Sequence, residues 1–280
     1  MYRWWKYQGH RIAYLDNGGK GETIIFLHGM GSNSLAWQYA IAELEDFRCI
    51  ALDLPGYGKS EWIPTDDLFG CYRSLLKDFI LQTGLRKVTL AGHSMGGQLA
   101  LLAAFDLPEK VERLILSAPA GLETFTAQES EMLKAAFSVE NVCNWDVEEV
   151  QQHTLKNFYF ASSEAVQKVV EERIARMQKD GYVEFCKAVS YAVKGMLEHP
   201  VATMLPKLSI PVLLFFGKQD GYIPNTLLHP SLTTALLVEK TAETISNCQF
   251  KMIDQCGHFP HLEHPEVFCK ALEEWMAVTA

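Results

Sequence analysis

The residue of this chain best placed to do chemistry is a serine set between glycines. Lys87–Ala91 is rich in β-forming residues and ends at Gly92; His93 and Ser94 follow, and then Met95-Gly96-Gly97-Gln98-Leu99-Ala100-Leu101-Leu102-Ala103-Ala104-Phe105, a helix-forming run that is apolar on nearly every side. A strand, one serine and a buried helix, with Gly92 and Gly96 flanking the serine, make the G-x-S-x-G pattern. That pattern displays a hydroxyl nucleophile on a turn so sharp that its neighbours must be nearly free of side chains. The helix N-terminus behind it adds partial positive charge where an oxyanion would form. The plainer alternative is a glycine-rich turn whose serine only caps the helix.

A hydroxyl becomes a useful nucleophile when a base takes its proton, and an imidazole base needs a carboxylate to fix its tautomer. In a parallel sheet such groups emerge at the carboxyl ends of strands, where ligands bind. Asp220 meets that condition, following the apolar run to Phe216 and then Gly217-Lys218-Gln219. His258 meets it as well, following Asp254-Gln255-Cys256-Gly257 at the end of a second run. Ser94, Asp220 and His258, in that order along the chain, are therefore the candidate nucleophile, orienting acid and general base.

Groups so far apart in sequence need strands that end side by side, and the pattern supplies them. Lys6-Tyr7-Gln8 and Arg11-Ile12-Ala13-Tyr14-Leu15 flank a turn at Gly9-His10 and read as a hairpin within residues 5–18. Thr23–Leu27 is a continuous apolar strand of the kind buried on both faces of a parallel sheet, and a helix is expected from Ser34 to Leu44. Phe47–Leu52 is the next strand, a helix over 69–81 leads back to the strand before Ser94, and Val111–Leu116 is a further strand. Between Leu122 and Leu205 the alternation stops and only helical patterns occur. They open at Thr126 with Glu129, at Asp146 with Glu149, and at Ser163 for a run that stops at Gly181; a fourth covers 183–197. Strands resume over 210–216 and 249–253, and a helix over Pro265–Met276 closes the chain. The expected fold is α/β: a mostly parallel, doubly wound sheet formed by residues 1–121 and 206–280, with an inserted helical cap of residues 122–205.

Other motifs compete for the same residues and fit less well. Gly29-Met30-Gly31-Ser32-Asn33-Ser34 with Asp53 imitates a dinucleotide fingerprint, but Ser34 stands where a third glycine must let helix and strand approach. Gly58-Lys59-Ser60 resembles the end of a P-loop, yet Asp53 occupies the position of its first glycine. Cys256, His258, His261 and His264 have the donor types of a zinc site, but Pro260 and Pro265 interrupt any helix that would align them. No cofactor and no metal are expected. A net charge of −9 without a basic run argues against nucleic acid or an anionic membrane as partner. Seven cysteines, odd in number, scattered and never Cys-x-x-Cys, fit reduced thiols in a cytoplasmic protein. Met1–Lys6 lacks the apolar core of a signal peptide, and no apolar stretch reaches transmembrane length.

Taken together, His28-Gly29, Asp53-Leu54-Pro55-Gly56-Tyr57-Gly58-Lys59-Ser60, Gly92-His93-Ser94-Met95-Gly96-Gly97, Asp220 and Gly257-His258 resemble the α/β-hydrolase superfamily along the whole chain except the cap. The resemblance implies an oxyanion hole made of two backbone N–H groups, one after the serine and one after the His-Gly pair; here these are Met95 and Met30. His28 and His93 are read as structural. Ser117–Leu122, Gly217-Lys218-Gln219-Asp220 and Asn247-Cys248-Gln249 with Gln255–His258 are similar to the monoacylglycerol lipase branch of that superfamily, whose membrane-anchoring N-terminal helix has no counterpart here. The implied activity is hydrolysis of a small carboxylic ester, with an apolar acyl group, through an acyl-enzyme. Carbon–carbon bond hydrolysis, lactone hydrolysis and cofactor-free perhydrolysis use the same triad, and a non-catalytic binding protein on this fold is a further alternative. Epoxide hydrolases and haloalkane dehalogenases of the fold use an aspartate nucleophile, which Ser94 opposes. Phe125, Met132, Phe137, Trp145, Phe158, Tyr159, Phe160, Met177, Tyr182, Phe185, Tyr191 and Met196 give the cap the apolar surface to pack its helices and line an acyl pocket.

Overall fold

A computed structural model describes residues 1–279. Its strands are β1 (Tyr2–Tyr7), β2 (His10–Asp16), β3 (Thr23–Leu27), β4 (Arg48–Leu52), β5 (Val88–His93), β6 (Val111–Ser117), β7 (Val212–Gly217) and β8 (Cys248–Ile253). They form one sheet in the order β1-β2-β4-β3-β5-β6-β7-β8. The hairpin joins antiparallel to β4, and every pairing from β4 across to β8 is parallel.

The parallel strands are apolar at successive positions because both faces are covered. Ile24, Phe26, Cys49, Ala51 and Ala91 point to one side, against α1 (Gln38–Glu43) and the C-terminal helix. Ile25, Leu27, Ile50, Leu52 and Leu90 point to the other, against α2 (Leu68–Gln82) and α3 (Met95–Asp106). Nearly every residue of α3 is buried, as its apolar composition requires.

Five helices stand between β6 and β7: α4 (Ala127–Ala136), α5 (Val139–Asn144), α6 (Val147–Leu155), α7 (Glu164–Arg176) and α8 (Tyr182–Glu198). The capping boxes at Thr126/Glu129 and Asp146/Glu149 are both formed. No residue of α4 is buried, whereas α8 buries Cys186, Ala188, Val189, Ala192, Val193 and Gly195. The chain leaves for the cap and returns at one point, because the Gly121 carbonyl accepts the N–H groups of Val201 (3.3 Å) and Ala202 (3.1 Å). From α3, the Gln98 amide donates to the carbonyls of Met196 (2.9 Å) and His199 (2.8 Å), tying the end of α8 to the helix behind Ser94. After β7 come α9 (Thr234–Thr244), α10 (Pro260–Glu263) and α11 (Pro265–Thr279).

The structure shifts several boundaries. The hairpin turns at Gln8-Gly9 rather than Gly9-His10, with both residues at positive φ (48° and 86°), the backbone of a tight primed turn. The segment after Ser34 starts as a 3-10 turn over Ser34–Trp37, and α7 ends at Arg176. Three helices, α5, α9 and α10, had no expectation attached; α10 is a single turn opened by Pro260. Helix α5 is only six residues long, and α9 shows a weak apolar stripe, with Leu237 and Val238 its main buried residues.

Candidate active site

Ser94 sits at φ 50°, ψ −117°, a conformation of the kind that costs L-residues about 1–3 kcal/mol and persists only where neighbours over-determine it. They do. Its N–H donates to the Ser117 carbonyl (3.0 Å), and its own carbonyl accepts the N–H groups of Gly97 (2.9 Å), Gln98 (3.1 Å) and Ala120 (3.0 Å). A side chain at Gly92 would run into the backbone of Gly96 and Gly97, and one at Gly96 into Leu27 and His28, so the turn closes only with glycine at both positions. The N–H groups of Met30 and Met95, unlike that of Ser94, find no acceptor among the described residues.

Asp220 and His258 meet across β7 and β8. His258 Nδ1 lies 2.8 Å from Asp220 Oδ2, while Oδ1 accepts the N–H groups of Tyr222 (2.8 Å) and Ile223 (3.0 Å). Both residues are buried, at 8% and 5% exposure. The carboxylate therefore holds the imidazole with Nδ1 protonated and Nε2 free to accept a proton. Ser94 and His258 line the same cavity, with no direct hydrogen bond between their side chains among the described residues. Such contacts commonly tighten only when substrate is bound.

The other histidines are committed elsewhere. His93 donates from Nε2 to the His258 carbonyl (2.8 Å), and burial, with the nearby His258 and His261, keeps its pKa far below the usual value. His28 donates from Nδ1 to the Gly29 carbonyl (2.8 Å) and accepts the Leu54 N–H at Nε2 (3.0 Å), so it fastens the β3 loop to the β4 loop. His261 is buried, stacked on Trp37 (3.8 Å) and hydrogen-bonded to Ser117 Oγ (3.0 Å). His264 is half-buried, its Nε2 on the Gln255 carbonyl (2.9 Å). The Cys256/His258/His261/His264 set is thus dispersed over four different environments. Asp53 accepts the Ser34 N–H (2.7 Å) and the Lys59 N–H (2.8 Å), bracing the two loops that the dinucleotide and P-loop motifs imitated.

A cavity of about 460 Å³ lies between the strand ends and the cap. Met30, Ser94 and His258 form its floor, while Phe125, Phe137, Trp145, Met177, Tyr182, Phe185 and Met196 enclose it from the cap side. Met132, Phe158, Tyr159, Phe160 and Tyr191 from the sequence-derived cap set do not line it. Among the ionisable wall residues outside the sequence-derived set are Arg173 and Glu123. Arg173, on α7, reaches the cavity with Thr154 Oγ1 (3.3 Å) as its hydrogen-bond partner and no carboxylate within ion-pair distance among the described residues; burial lowers its pKa. Its signal was a cation on the apolar stripe Val166, Val170, Arg173, Met177. Glu123, buried in the segment that follows β6, accepts the Asn225 N–H (3.0 Å) and pairs with His229. Asn225 and the other strand-end loops offered no periodic signal.

Sheet order, elbow and strand-end residues define a hydrolase architecture, and the comparisons give it a family. A family model described as alpha/beta hydrolase fold matches residues 22–265. The chain belongs to the α/β-hydrolase family. Among its relatives is a 2-hydroxy-6-oxononadienedioate/2-hydroxy-6-oxononatrienedioate hydrolase of Comamonas testosteroni, 26% identical over 272 residues and covering 94% of this chain and 91% of that one. A 2-hydroxy-6-oxo-6-phenylhexa-2,4-dienoate hydrolase of Burkholderia cepacia is also 26% identical, with the same 94% and 91% coverage. A solved thermophilic esterase of Thermogutta terrifontis, with malate bound, superposes at a TM-score of 0.81 with 25% identity, covering 100% of this chain and 99% of that one. No helix among the described residues is long and apolar enough to cross a membrane.

Proposed function

We propose that the protein is a serine hydrolase of small carboxylic esters. The observation that carries this reading is the Asp220–His258 contact of 2.8 Å on the floor of the cavity that Ser94 also lines. Ser94 Oγ attacks the carbonyl carbon while His258 Nε2 takes its proton. The imidazolium, steadied by Asp220, then protonates the departing alkoxide. Water, deprotonated by the same nitrogen, cleaves the acyl-enzyme and returns the hydroxyl to Ser94. The acceptor-free N–H groups of Met30 and Met95 suit the oxyanion, each such donor being worth about 2.7–4 kcal/mol in the transition state. The apolar cap wall suits an apolar acyl group, with residues 122–205 acting as the cap and 1–121 with 206–280 as the core.

Arg173 favours a second reading for the substrate. A cation on a mostly apolar wall, with no carboxylate in ion-pair reach among the described residues, is matched by a carboxylate on the ligand. Relatives named for 2-hydroxy-6-oxo acids, one set of them dioates, act on substrates that carry that group. On such a substrate the Ser94 scheme runs with a stabilised carbon leaving group, protonated by His258, in place of an alkoxide. Fluorophosphonate labelling, followed by peptide mapping, tests the nucleophile: label on Ser94 is expected. A panel of p-nitrophenyl esters and monoacylglycerols of graded chain length, ω-carboxylated esters and a 2-hydroxy-6-oxo dienoate then separates the substrate classes. Turnover of none of them by a protein that takes no label overturns the reading.

A further inference from the structure

Glu263 is an acid that the hydrolytic scheme leaves unused, yet its carboxylate spans the backbone on both sides of His258. Oε1 accepts the N–H groups of Gly257 (2.9 Å) and Phe259 (3.4 Å), and Oε2 accepts the N–H of Tyr159 (2.8 Å), in the cap segment between α6 and α7. No Lys or Arg pairs with it among the described residues, so backbone donors are what compensate the charge. A second bond crosses the same seam. The His258 N–H donates to the Asn157 carbonyl at 2.6 Å. Beneath these contacts Phe158 stacks on Phe259, with ring centroids 4.8 Å apart, in a small apolar cluster that adds Val166 of α7 and Leu262 of α10. A bare structural brace would need only one partner element. Here two loops of different origin, one bearing the base and one belonging to the cap, share a single carboxylate.

We propose that Glu263 is a positioning residue that couples the cap to the general base. Through its two oxygens the segment Asn157–Phe160 and the loop Gly257–Phe259 move as one body, and the His258 imidazole is in register with Ser94 when the cap is seated. The inference rests on His258 being the base of the proposed triad. It places the control of that base outside the triad, in a residue that touches neither substrate nor reacting atoms.

Glu263→Gln tests it in the full chain, because the amide keeps an acceptor for one loop and presents donors to the other. With a short p-nitrophenyl ester, kcat is expected to fall about tenfold or more while KM stays within about twofold, since small misplacements of a catalytic group act on the chemical step. The rate of fluorophosphonate labelling at Ser94 falls by the same factor, and the melting temperature changes little. Wild-type kcat and labelling rate in folded Glu263→Gln, with or without a lowered melting temperature, reduce Glu263 to a brace and overturn the proposal. Wild-type protein that takes no label at Ser94 overturns the triad reading instead, and the coupling with it. Should Glu263→Gln fail to fold, Glu263→Asp carries the same comparison: it keeps the charge, cannot reach both loops, and must show the same loss of kcat at unchanged KM.

Discussion

The floor and the roof of the cavity are held in different ways. On the floor, Ser94 and Asp220 each hang from several backbone hydrogen bonds, and His258 is held by its N–H on Asn157 and its carbonyl on His93; all three follow buried strands of one sheet. In the roof, α4 has no buried residue and α7 buries only Val166 and Val170, so those helices are fixed mainly by the side chains they turn inward. A site assembled this way separates two tasks. On the proposed reading, the floor sets what reaction occurs, through positions that tolerate little displacement. The roof sets which molecule is admitted through side chains that can be exchanged while the sheet stays intact.

Substitutions on the floor are expected to act on kcat and to dominate. Ser94→Ala should lower kcat by about 10⁶-fold, the scale seen when a serine hydrolase loses its nucleophile. Its melting temperature should hold or rise, because catalytic sites often give up stability for function. Retention of more than about a hundredth of wild-type activity would remove Ser94 from its role. Asp220→Asn should fold and slow turnover by about 10⁴-fold by favouring the wrong tautomer of His258. Full activity in that variant would place the orienting acid elsewhere.

The roof sharpens the contrast. Arg173→Gln should weaken kcat/KM for carboxylate-bearing esters by about 2 kcal/mol, roughly thirtyfold, and leave neutral esters of equal length nearly unchanged. Equal losses for both series would show that Arg173 only packs the cap. The smallest effect belongs to the Glu123 segment that follows β6. There His229, facing Glu123 and Glu129, has its pKa raised above the ordinary 6.5 chiefly by its hydrogen bond to Glu123. A raised folded-state pKa means that the charged pair stabilises fully below 6.5, and that this contribution fades as pH rises through the folded-state value. The melting temperature of His229→Gln should therefore lag wild type most near about pH 6 and converge with it in mild alkali. A lag that is the same at every pH would mean the pair contributes no charge-dependent stability.

The floor was legible in the sequence because parallel strands write themselves as apolar runs and place their chemistry just beyond the last apolar residue. Ser94, Asp220 and His258 were singled out from those endings alone; Ser94 and His258 line one cavity, and Asp220 stands behind His258 at 2.8 Å. The roof was less legible. Helical spacing marks an inward face without saying what lies under it, so Met132 and Tyr191 had the same pattern as Phe137 and Tyr182 but do not reach the cavity. Arg173 carried a signal, a charge on an apolar stripe, that composition alone obscures. Glu263 carried none: one acid between Pro260 and Pro265 acquires its meaning from a loop 104 residues away along the chain, and only folding brings Tyr159 to it.

The hydrogen bonds from Val201 and Ala202 to Gly121 have a consequence for how this architecture can change. Because the chain departs and returns at one carbonyl, the entire insertion is, for the sheet, a closed loop between neighbouring strands β6 and β7. The entropy of closing a loop grows only with the logarithm of its length, about 0.6 kcal/mol for each doubling. Lengthening, shortening or exchanging roof helices at that stitch, while keeping the Asn157–Phe160 segment that is bonded to the His258 loop, therefore perturbs the floor less than moving a strand end. One catalytic platform can carry many differently shaped roofs, each screening its own set of substrates.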